Sequence, residues 1–358
     1  MRHAIELAGR GAGFTRPNPP VGAVVVRNGR IVGEGYHQFA GGPHAEIVAL
    51  RAAGARARGA ALYVTLEPCC TTGRTGPCTE AILQSGVKAV VVGTRDPNPR
   101  HAGRGVRLLR KRGLAVSEGL LGAECRELIA PFRKWILTGR PYVTLKLGVS
   151  LDGRIADRAG RSRWITGAEA RAEVQRLRHR ADAVLVGSGT VMADDPSLLC
   201  RACAAPHGWR VIMDSRGRVS PSAKVLNDAE AERTILATVK GAPAEKDAAR
   251  RRCQTWVLPR AAGRVSVRAL LRRLGGLGLL HVLCEGGGEL AYALVRAGVV
   301  DEFVFFVAPL VLGGDASHAA IDGPGWPLAA APKLHITECS RVGADVMIRA
   351  VRERGTNT

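Results

Sequence analysis

Two short stretches decide the fold of the first part of the chain: residues 41–46, GGPHAE, and residues 67–78, EPCCTTGRTGPC. A catalytic zinc ion typically takes three protein ligands and keeps its fourth position for water. One imidazole and two thiolates supply that set in His44, Cys69 and Cys78. His44 and Cys78 each stand where a helix is predicted to begin, and a helix N-terminus stabilises a thiolate. The pattern therefore predicts a zinc site.

Glu46 follows His44 by two residues and is predicted to reach the same cavity. Zinc lowers the pKa of water to about 7 and so provides a nucleophile for an amidine-like carbon of a heterocycle. Glu46 is the predicted proton shuttle, from water to the ring and the leaving amine. Nucleobase deaminases use this combination of His/Cys/Cys ligands and a glutamate. The alternative is a structural four-ligand site with Cys70 as the fourth ligand, which would leave Glu46 without a role.

Hydrophobic periodicity predicts an α/β fold for the first part of the chain. The turn Asn28-Gly29 joins two strand-like runs and predicts an antiparallel hairpin. The later strand–helix–strand units favour parallel pairing. The predicted strands are Val21–Arg27, Ile31–Tyr36, Ala61–Thr65 and Val87–Gly93, and the predicted helices are His44–Ala53, Cys78–Gln84, Arg104–Arg112 and Gly122–Leu137.

A domain boundary is predicted at residues 138–141, TGRP, which place two helix breakers after a helix. The predicted domains are 1–139 and 140–358, and the second is also α/β. Residues 229–264 give no clear pattern. The predicted strands of the second domain are Tyr142–Val149, Ala183–Gly187, Arg210–Asp214, Leu279–Cys284 and Asp301–Val307, and its predicted helices are Ala168–Arg178 and Glu289–Ala297.

Length and composition place further bounds on the protein. A chain of 358 residues with 46% hydrophobic residues fits two domains that each bury a core. The sequence has no apolar run of about 18 residues and no apolar signal segment, so we expect a cytoplasmic protein without a membrane span. Nine cysteines in such a protein indicate metal ligands and buried thiols rather than disulfides. The single pair Cys200 and Cys203 is interpreted as incidental thiols.

The formal net charge of +21 has two interpretations. A basic face would attract nucleic acid. However, the basic residues are spread along the chain, and aromatic residues, which stack on bases, make up only 4%. We therefore expect a phosphorylated small molecule, not nucleic acid, to be what this field attracts.

The first domain resembles the cytidine-deaminase-like superfamily and, more narrowly, the deaminase domain of the bifunctional riboflavin-biosynthesis deaminase/reductase family. Eight residues separate Cys69 from Cys78, as in that family, and residues 18–22, NPPVG, and 95–99, RDPNP, match it as well. The resemblance implies a three-layer domain in which Asn18 and Arg74 contact the pyrimidine or its ribose phosphate. The family usually has Ser-His after the first cysteine, where this chain has Cys70-Thr71. That histidine is associated with substrate binding rather than zinc.

The second domain resembles the reductase domain of the same family, whose fold is similar to dihydrofolate reductase. Residues 283–289, LCEGGGE, lie between a predicted strand and helix, where glycines let the backbone approach phosphates; the pattern is not the Rossmann G-x-G-x-x-G. Residues 146–154, 162–167, 189–196 and 214–216 carry the resemblance. It implies that NADPH contacts Trp164, Thr190, Asp194, Ser215, Gly286, Gly287 and Gly288, and that the ribosyl-phosphate substrate contacts Lys146, Ser162, Arg178, Leu198, Arg201 and Glu285.

The expected function is therefore a pair of reactions in riboflavin synthesis. Zinc-dependent hydrolysis removes the 2-amino group of a diaminopyrimidinone ribosylamino phosphate, and NADPH then reduces the ribosyl group to ribityl. The expected partners are this small phosphorylated substrate and a second copy of the chain in a homo-oligomer, without nucleic acid or membrane. Two alternatives stay open: a zinc-dependent deaminase of nucleic-acid bases with an accessory domain, and a non-catalytic binding protein stapled by zinc.

Overall fold

The computed structural model describes residues 1–71, 76–201, 208–246, 252–315 and 317–353. Its contacts divide the chain into two units, Met1–Gly139 and Arg140–Thr358. The first unit contains, in chain order, α1 (Arg2–Gly11), β1 (Gly22–Arg27), β2 (Arg30–Tyr36), α2 (Ala45–Ala53), β3 (Ala61–Leu66), α3 (Cys78–Gln84), β4 (Ala89–Thr94), α4 (Arg104–Lys111), β5 (Ala115–Glu118), α5 (Gly122–Leu128) and α6 (Ala130–Thr138).

The first unit is organised by a five-stranded sheet in the order β2-β1-β3-β4-β5. The β1–β2 hairpin is antiparallel and turns at Asn28 and Gly29, which both have the positive φ that a two-residue hairpin turn requires. β3, β4 and β5 are parallel, so α3 and α4 serve as crossovers. The predicted hairpin and the predicted parallel pairing are both confirmed.

Helix α2 packs directly on the backbone of β2. A Cβ atom added at Gly33 would lie 2.4 Å from the Ala49 carbonyl oxygen, and one at Gly35 would lie 2.7 Å from the Ala49 nitrogen. Only glycine permits this close approach of helix and strand. Because α2 begins immediately after His44, the contact also places His44 and Glu46 at the end of the sheet where β3 leads to Cys69.

The second unit contains one large sheet and a set of shorter elements. In chain order these are β6 (Tyr142–Ser150), β7 (Arg154–Ala156), α7 (Ala168–Arg180), β8 (Ala183–Gly187), α8 (Ser188–Asp194), β9 (Trp209–Met213), α9 (Lys224–Asn227), β10 (Thr234–Thr238), α10 (Pro243–Lys246), β11 (Gln254–Val257), β12 (Arg260–Ala261), β13 (Arg264–Val265), α11 (Val267–Gly276), β14 (His281–Cys284), α12 (Gly288–Arg296), β15 (Glu302–Ala308), β16 (His318–Ala319), β17 (Leu334–Val342) and β18 (Asp345–Arg352).

The large sheet has nine strands in the order β11-β10-β9-β8-β14-β6-β15-β18-β17. The strands from β11 to β15 are parallel, and β18 and β17 add an antiparallel hairpin at one edge. The carboxyl ends of β14, β8 and β9 therefore lie side by side. In open α/β sheets this edge is where ligands bind.

The predicted single helix Gly122–Leu137 is wrong. Two helices, α5 and α6, occupy this stretch and meet at Ile129, whose φ of −103° and ψ of 14° are not helical. Pro131 explains the break, because proline is accepted in the first turn of a helix but removes a hydrogen bond from a helix interior. In the part of the chain that the structure describes, no helix is long and apolar enough to cross a membrane.

Candidate metal centre and ligand cleft

The first unit brings three candidate metal ligands together. The Nδ1 atom of His44 and the Sγ atoms of Cys69 and Cys78 all lie within 4.8 Å of one another. His44 Nδ1 is 3.5 Å from the Cys69 sulfur and 3.2 Å from the Cys78 sulfur. His44 stands at the N-cap of α2, Cys69 follows β3, and Cys78 begins α3. The fold thus brings together the three residues that the sequence predicts as zinc ligands.

The two thiols show how the site would accept a cation. A hydrogen bond from Cys78, together with His44, lowers the pKa of Cys69 to about 4. The pKa of Cys78 is raised, because it donates to the Cys69 thiolate, is buried and lies near Glu46. Two thiolates at this distance need a positive charge to coexist, and a bound metal supplies it. One imidazole and two thiolates are the donor types that zinc prefers, so the residues fit this metal.

Glu46 lies beside these ligands, on the first turn of α2, and only 3% of it is exposed. Burial raises the pKa of its carboxyl to about 7, and the nearby Cys69 sulfur adds to the increase. A carboxyl with this pKa both takes up and releases protons near neutral pH. The side chain is therefore suited to proton transfer.

Cys70 is not a member of the ligand cluster in the described part of the chain. Its side chain is half-buried, and burial and the Glu67 carboxylate raise the pKa of its thiol. This placement favours three protein ligands over the structural four-ligand alternative.

Asn18 contacts a residue that the sequence reasoning missed. The Nδ2 atom of Asn18 lies 3.2 Å from Nε2 of His37, while Nδ1 of His37 lies 3.1 Å from the Pro43 carbonyl oxygen. Since a carbonyl only accepts, His37 carries its proton on Nδ1, and Nε2 accepts from the Asn18 amide. Burial lowers the pKa of His37, and its ring meets that of His44 edge-on at 5.4 Å. The position of His37 just after β2, seven residues before His44, is the one sequence signal for this residue.

Arg74, the other residue predicted to contact the substrate of the first unit, lies outside the described residues.

In the second unit, a cleft of about 1260 Å³ is lined by the thirteen residues that are predicted to bind NADPH or the ribosyl-phosphate substrate. This volume exceeds what one drug-sized ligand usually needs, so a cofactor and a substrate can bind side by side. Arginines that the sequence reasoning did not single out, among them Arg163, Arg171 and Arg218, also line it. The thirteen are Lys146, Ser162, Trp164, Arg178, Thr190, Asp194, Leu198, Arg201, Ser215, Glu285, Gly286, Gly287 and Gly288.

Glu285 is the centre of a charged group at one side of the cleft. Its carboxylate accepts from Arg178 Nη2 at 2.9 Å and lies 3.6 Å from Lys146 Nζ. Burial raises the pKa of Glu285, but the charges of Arg178 and Lys146 outweigh this effect and lower it to about 2. Arg178 also donates to the Leu199 carbonyl at 3.0 Å. The group carries a net positive charge, which suits a phosphorylated sugar.

The glycine loop between β14 and α12 forms another wall of the cleft. Gly286 and Gly287 have φ of 118° and 74°, which disfavour any side chain. A Cβ at Gly287 would lie 3.4 Å from Thr190 Oγ1, so the two lining segments nearly touch. Helix α12 starts at Gly288, one residue earlier than predicted. Backbone N–H groups at the start of a helix, left uncovered by the glycines before it, can bind a phosphate group.

The remaining predicted residues are placed as follows. Ser162 donates to Asp194 Oδ1 at 3.0 Å. Trp164 is 65% exposed, with the Arg171 guanidinium 4.5 Å from its ring centroid. Ser215 accepts from the Val265 nitrogen at 2.9 Å. Leu198 is buried, and the backbone of Arg201 donates to Gln175 at 2.8 Å.

Of the pair Cys200 and Cys203, the structure describes Cys200. Cys200 is buried and donates to the Gln175 carbonyl at 3.4 Å. Cys203 lies outside the described residues, so the interpretation of this pair as incidental thiols stays a prediction.

Two family models match the chain. The cytidine and deoxycytidylate deaminase zinc-binding region matches residues 1–94, and the RibD C-terminal domain matches residues 141–348. The riboflavin biosynthesis protein RibD of Escherichia coli is 42% identical over an alignment of 365 residues that covers 98% of this chain and 98% of that protein. This chain belongs to the RibD family. RibD of Bacillus amyloliquefaciens is 41% identical over 99% of this chain and 96% of its own length.

Solved structures of the RibD family share the fold. RibD of Acinetobacter baumannii superimposes with a TM-score of 0.87 at 38% identity, covering 99% of this chain and 98% of that one. A Thermotoga maritima protein described as a diaminohydroxyphosphoribosylaminopyrimidine deaminase/5-amino-6-(5-phosphoribosylamino)uracil reductase gives a TM-score of 0.87 at 36% identity, covering 98% and 97%. These similarities confirm the predicted fold class: a cytidine-deaminase-like domain followed by a reductase domain of the RibD type.

Proposed function

We propose that this chain is a bifunctional riboflavin-biosynthesis enzyme that deaminates 2,5-diamino-6-ribosylamino-4(3H)-pyrimidinone 5′-phosphate and then reduces its ribosyl group. One observation carries the proposal: residues 1–139 hold a His/Cys/Cys cluster beside a buried glutamate, and residues 140–358 hold a cleft lined by every residue predicted to bind NADPH or the sugar phosphate. Each feature fits one of the two reactions, and the Thermotoga maritima relative is described as both a deaminase and a reductase.

For the deaminase reaction, His44, Cys69 and Cys78 would hold zinc. Zinc in such a site acts as a Lewis acid that makes water nucleophilic near pH 7. As the water oxygen bonds to C2, Glu46 accepts one proton from the water and donates it to the ring nitrogen. Glu46 then accepts the remaining hydroxyl proton and passes it to the exocyclic amine. The bond from C2 to the exocyclic nitrogen breaks, a carbonyl forms at C2, and ammonia leaves. Asn18, held by His37, and Arg74 would contact the pyrimidine or its ribose phosphate.

For the reductase reaction, the glycine loop, Thr190, Asp194, Trp164 and Ser215 would bind NADPH. NADPH supplies a hydride to C1 of the sugar. The sugar ring opens, its ring oxygen gains a proton, and an open-chain ribityl group results. Arg178, whose guanidinium is paired with Glu285, would add positive charge beside the phosphate, and Lys146 would lie near the reacting sugar. Ser162, Leu198, Arg201 and Glu285 would complete the substrate site.

The same observations bear on partners and location. The substrate would be a small phosphorylated pyrimidine, consistent with the cationic group around Glu285. A homo-oligomer and a cytoplasmic location belong to the proposal as expectations from the sequence. A nucleic-acid deaminase has less support, because it leaves the cleft of the second unit without a purpose.

The test is mass spectrometry of the diaminopyrimidinone ribosylamino phosphate after incubation with the zinc-loaded full chain, with and without NADPH. We expect the deaminated compound without NADPH and the deaminated ribityl compound with it. Deamination alone would contradict the reductase assignment. If the small substrate is not turned over but a base in RNA is deaminated, the nucleic-acid alternative replaces the proposal. The presence of Cys70-Thr71 in place of the family's Ser-His would then be the first explanation for the lack of turnover.

A further inference from the structure

Glu67 is a buried carboxylate two residues before the candidate ligand Cys69. It directly follows β3, and only 5% of the residue is exposed. Its backbone nitrogen donates to the Thr94 carbonyl oxygen at 2.9 Å, which ties it to the end of β4. The mechanism above gives Glu67 no role, although burying a carboxylate is costly unless its oxygens find donors.

The donors are three backbone N–H groups from the segment that enters helix α4. Oε2 accepts from Asp96 at 3.1 Å and from Gly103 at 2.8 Å, and Oε1 accepts from Val106 at 3.2 Å. Gly103 is the N-cap residue of α4 and has no side chain to satisfy the first free N–H groups of the helix. Glu67 therefore caps α4 from another part of the chain, with its negative charge at the positive end of the helix dipole.

The first turn of α4 also rests on the backbone next to Cys69. A Cβ atom at Gly105 would lie 2.1 Å from the Pro68 carbonyl oxygen and 3.3 Å from Glu67 Oε1. The helix thus contacts the Glu67 side chain and the Pro68 backbone at once. Glycine at position 105 is required for this contact, because any side chain would push the two segments apart.

Cys69 in turn is tied to Cys78. The Cys69 carbonyl oxygen accepts from the Thr79 nitrogen at 3.2 Å, and the Cys69 sulfur accepts from the Cys78 nitrogen at 3.3 Å. An unbroken series of short contacts therefore runs from α4 through Glu67 and Pro68 to both cysteines. The segment that carries Cys69 has no regular secondary structure of its own, so these contacts fix its path.

We propose that Glu67, together with Gly105, is a positioning residue that holds the Cys69 segment against α4 and so sets the sulfur geometry of the zinc site. The inference rests on the proposed deaminase function of the first unit. Glu67 acts through the backbone and not on the substrate, since both of its oxygens already accept from N–H groups. Partners behind metal ligands typically change metal affinity or activity by about 10–100-fold when removed, and sites need their ligands within about 0.5 Å of the productive geometry.

The test compares full-length wild-type protein with Glu67→Gln. The amide keeps the size of the side chain but turns an N–H₂ group toward a backbone N–H, so one of the three contacts must break. We expect the zinc dissociation constant, measured by competition with a chromophoric chelator, to rise about 10–100-fold. The ligand-field absorption of the Co²⁺-substituted protein should shift as well, which a general loss of stability would not cause. Reduction of the deaminated substrate by NADPH should keep the wild-type rate.

Glu34→Gln is the matched control, because Glu34 is a carboxylate of the same unit that pairs with His3 of α1 and not with the segment between α4 and the cysteines. It should leave zinc affinity and the Co²⁺ spectrum unchanged. Gly105→Ala should weaken zinc binding in the same direction as Glu67→Gln, since it displaces the Pro68 carbonyl by a different route.

Two results would overturn the positioning role. The first is a Glu67→Gln protein with wild-type zinc affinity and Co²⁺ spectrum. The second is a Glu67→Gln protein whose first unit no longer unfolds cooperatively, which would make Glu67 a general stability residue. If the wild-type protein binds zinc and deaminates, and the variants have the same zinc affinity and Co²⁺ spectrum, only this inference is contradicted. If the wild-type protein binds no zinc, the proposed function is contradicted too.

Discussion

Glu46→Gln separates proton transfer from metal binding at the scale of one residue. The amide fills the same buried space beside His44 but cannot accept and pass on a proton. Since proton transfer by a positioned side chain contributes about 10²–10⁴-fold to a rate, we expect deamination to fall by that factor. Zinc content, measured by atomic emission, should stay at the wild-type level, and NADPH-dependent reduction of the deaminated substrate should not change. Full deaminase activity in this variant would contradict the role of Glu46.

Because Glu285 is held in its ionised form, we expect the stability of the second unit to decrease in acid. Its pKa in the folded protein is about 2, below the ordinary value of 4.5, because Arg178 and Lys146 hold the ionised form. The ionised carboxylate therefore stabilises the fold fully above pH 4.5, and this stabilisation is lost as the pH falls from about 4.5 toward 2. The loss should be of the order of 3 kcal/mol.

Urea unfolding at several pH values, followed by tryptophan fluorescence, checks this prediction. Four of the five tryptophans lie in residues 140–358, so the signal reports mainly on the second unit. Glu285→Gln should be less stable at pH 7, because it leaves Arg178 buried without its counter-ion, and it should show a flatter pH dependence below pH 4.5. The same pH slope in both proteins would place the acid sensitivity on other groups.

At the scale of elements, the start of α12 depends on Gly288. A Cβ at this position would lie 2.5 Å from the Ala319 carbonyl oxygen and 2.7 Å from Asp322 Cβ. Gly288→Ala should therefore destabilise the second unit by about 1–3 kcal/mol and displace the glycine loop. We expect weaker NADPH binding by calorimetry together with a lower unfolding temperature. Gly276→Ala is the control, since a Cβ there meets nothing within 4 Å and lies in a helix, where alanine is favoured.

Elements with strong local signals were predicted, and elements defined by tertiary contacts were not. Asn28-Gly29 fixed the first hairpin, and the buried runs of β3, β6 and β8 read directly as strands. Strand β17 is mostly exposed on both faces, so its residues show no alternation to recognise. In its described residues, the stretch 229–264 holds β10, α10, β11, β12 and the start of β13, which are too brief to establish a period. The helix break at Ile129 is different, because Pro131 is a local signal from which it could have been predicted.

The two sites differ in how far the sequence reveals them. Spacing and ligand chemistry alone predict the group of His44, Cys69, Cys78 and Glu46, because few side-chain combinations bind zinc. The predicted residues of the cleft lie between positions 146 and 288, and only the resemblance to a known family joined them. His37 and Glu67 escaped prediction because each acts through contacts with backbone or amide groups distant in sequence, which leave no periodic or compositional trace.

At the scale of the whole molecule, the candidate ligands for zinc all come from residues 1–139 and the lining of the cleft all comes from residues 140–358. The two chemistries also make opposite demands. Hydrolysis needs a metal and water beside a proton carrier, whereas hydride transfer needs a cofactor site that water does not enter. Separate units let each demand be met without compromise, and the order of the units says nothing about the order of the steps.

Removal of the metal should therefore divide the two activities of the full chain. After dialysis against a strong chelator, we expect deamination to be lost, because no cation remains to hold two thiolates at His44. Reduction of the already deaminated substrate by NADPH should keep its wild-type rate, since no residue that lines the cleft is a candidate zinc ligand. Mass spectrometry of both products checks this, and added Zn²⁺ should restore deamination while added Mg²⁺, which prefers oxygen ligands, should not. If chelation abolished reduction as well, and zinc restored both together, the reductase unit would depend on the metal centre, and the assignment of one independent chemistry to each unit would fail.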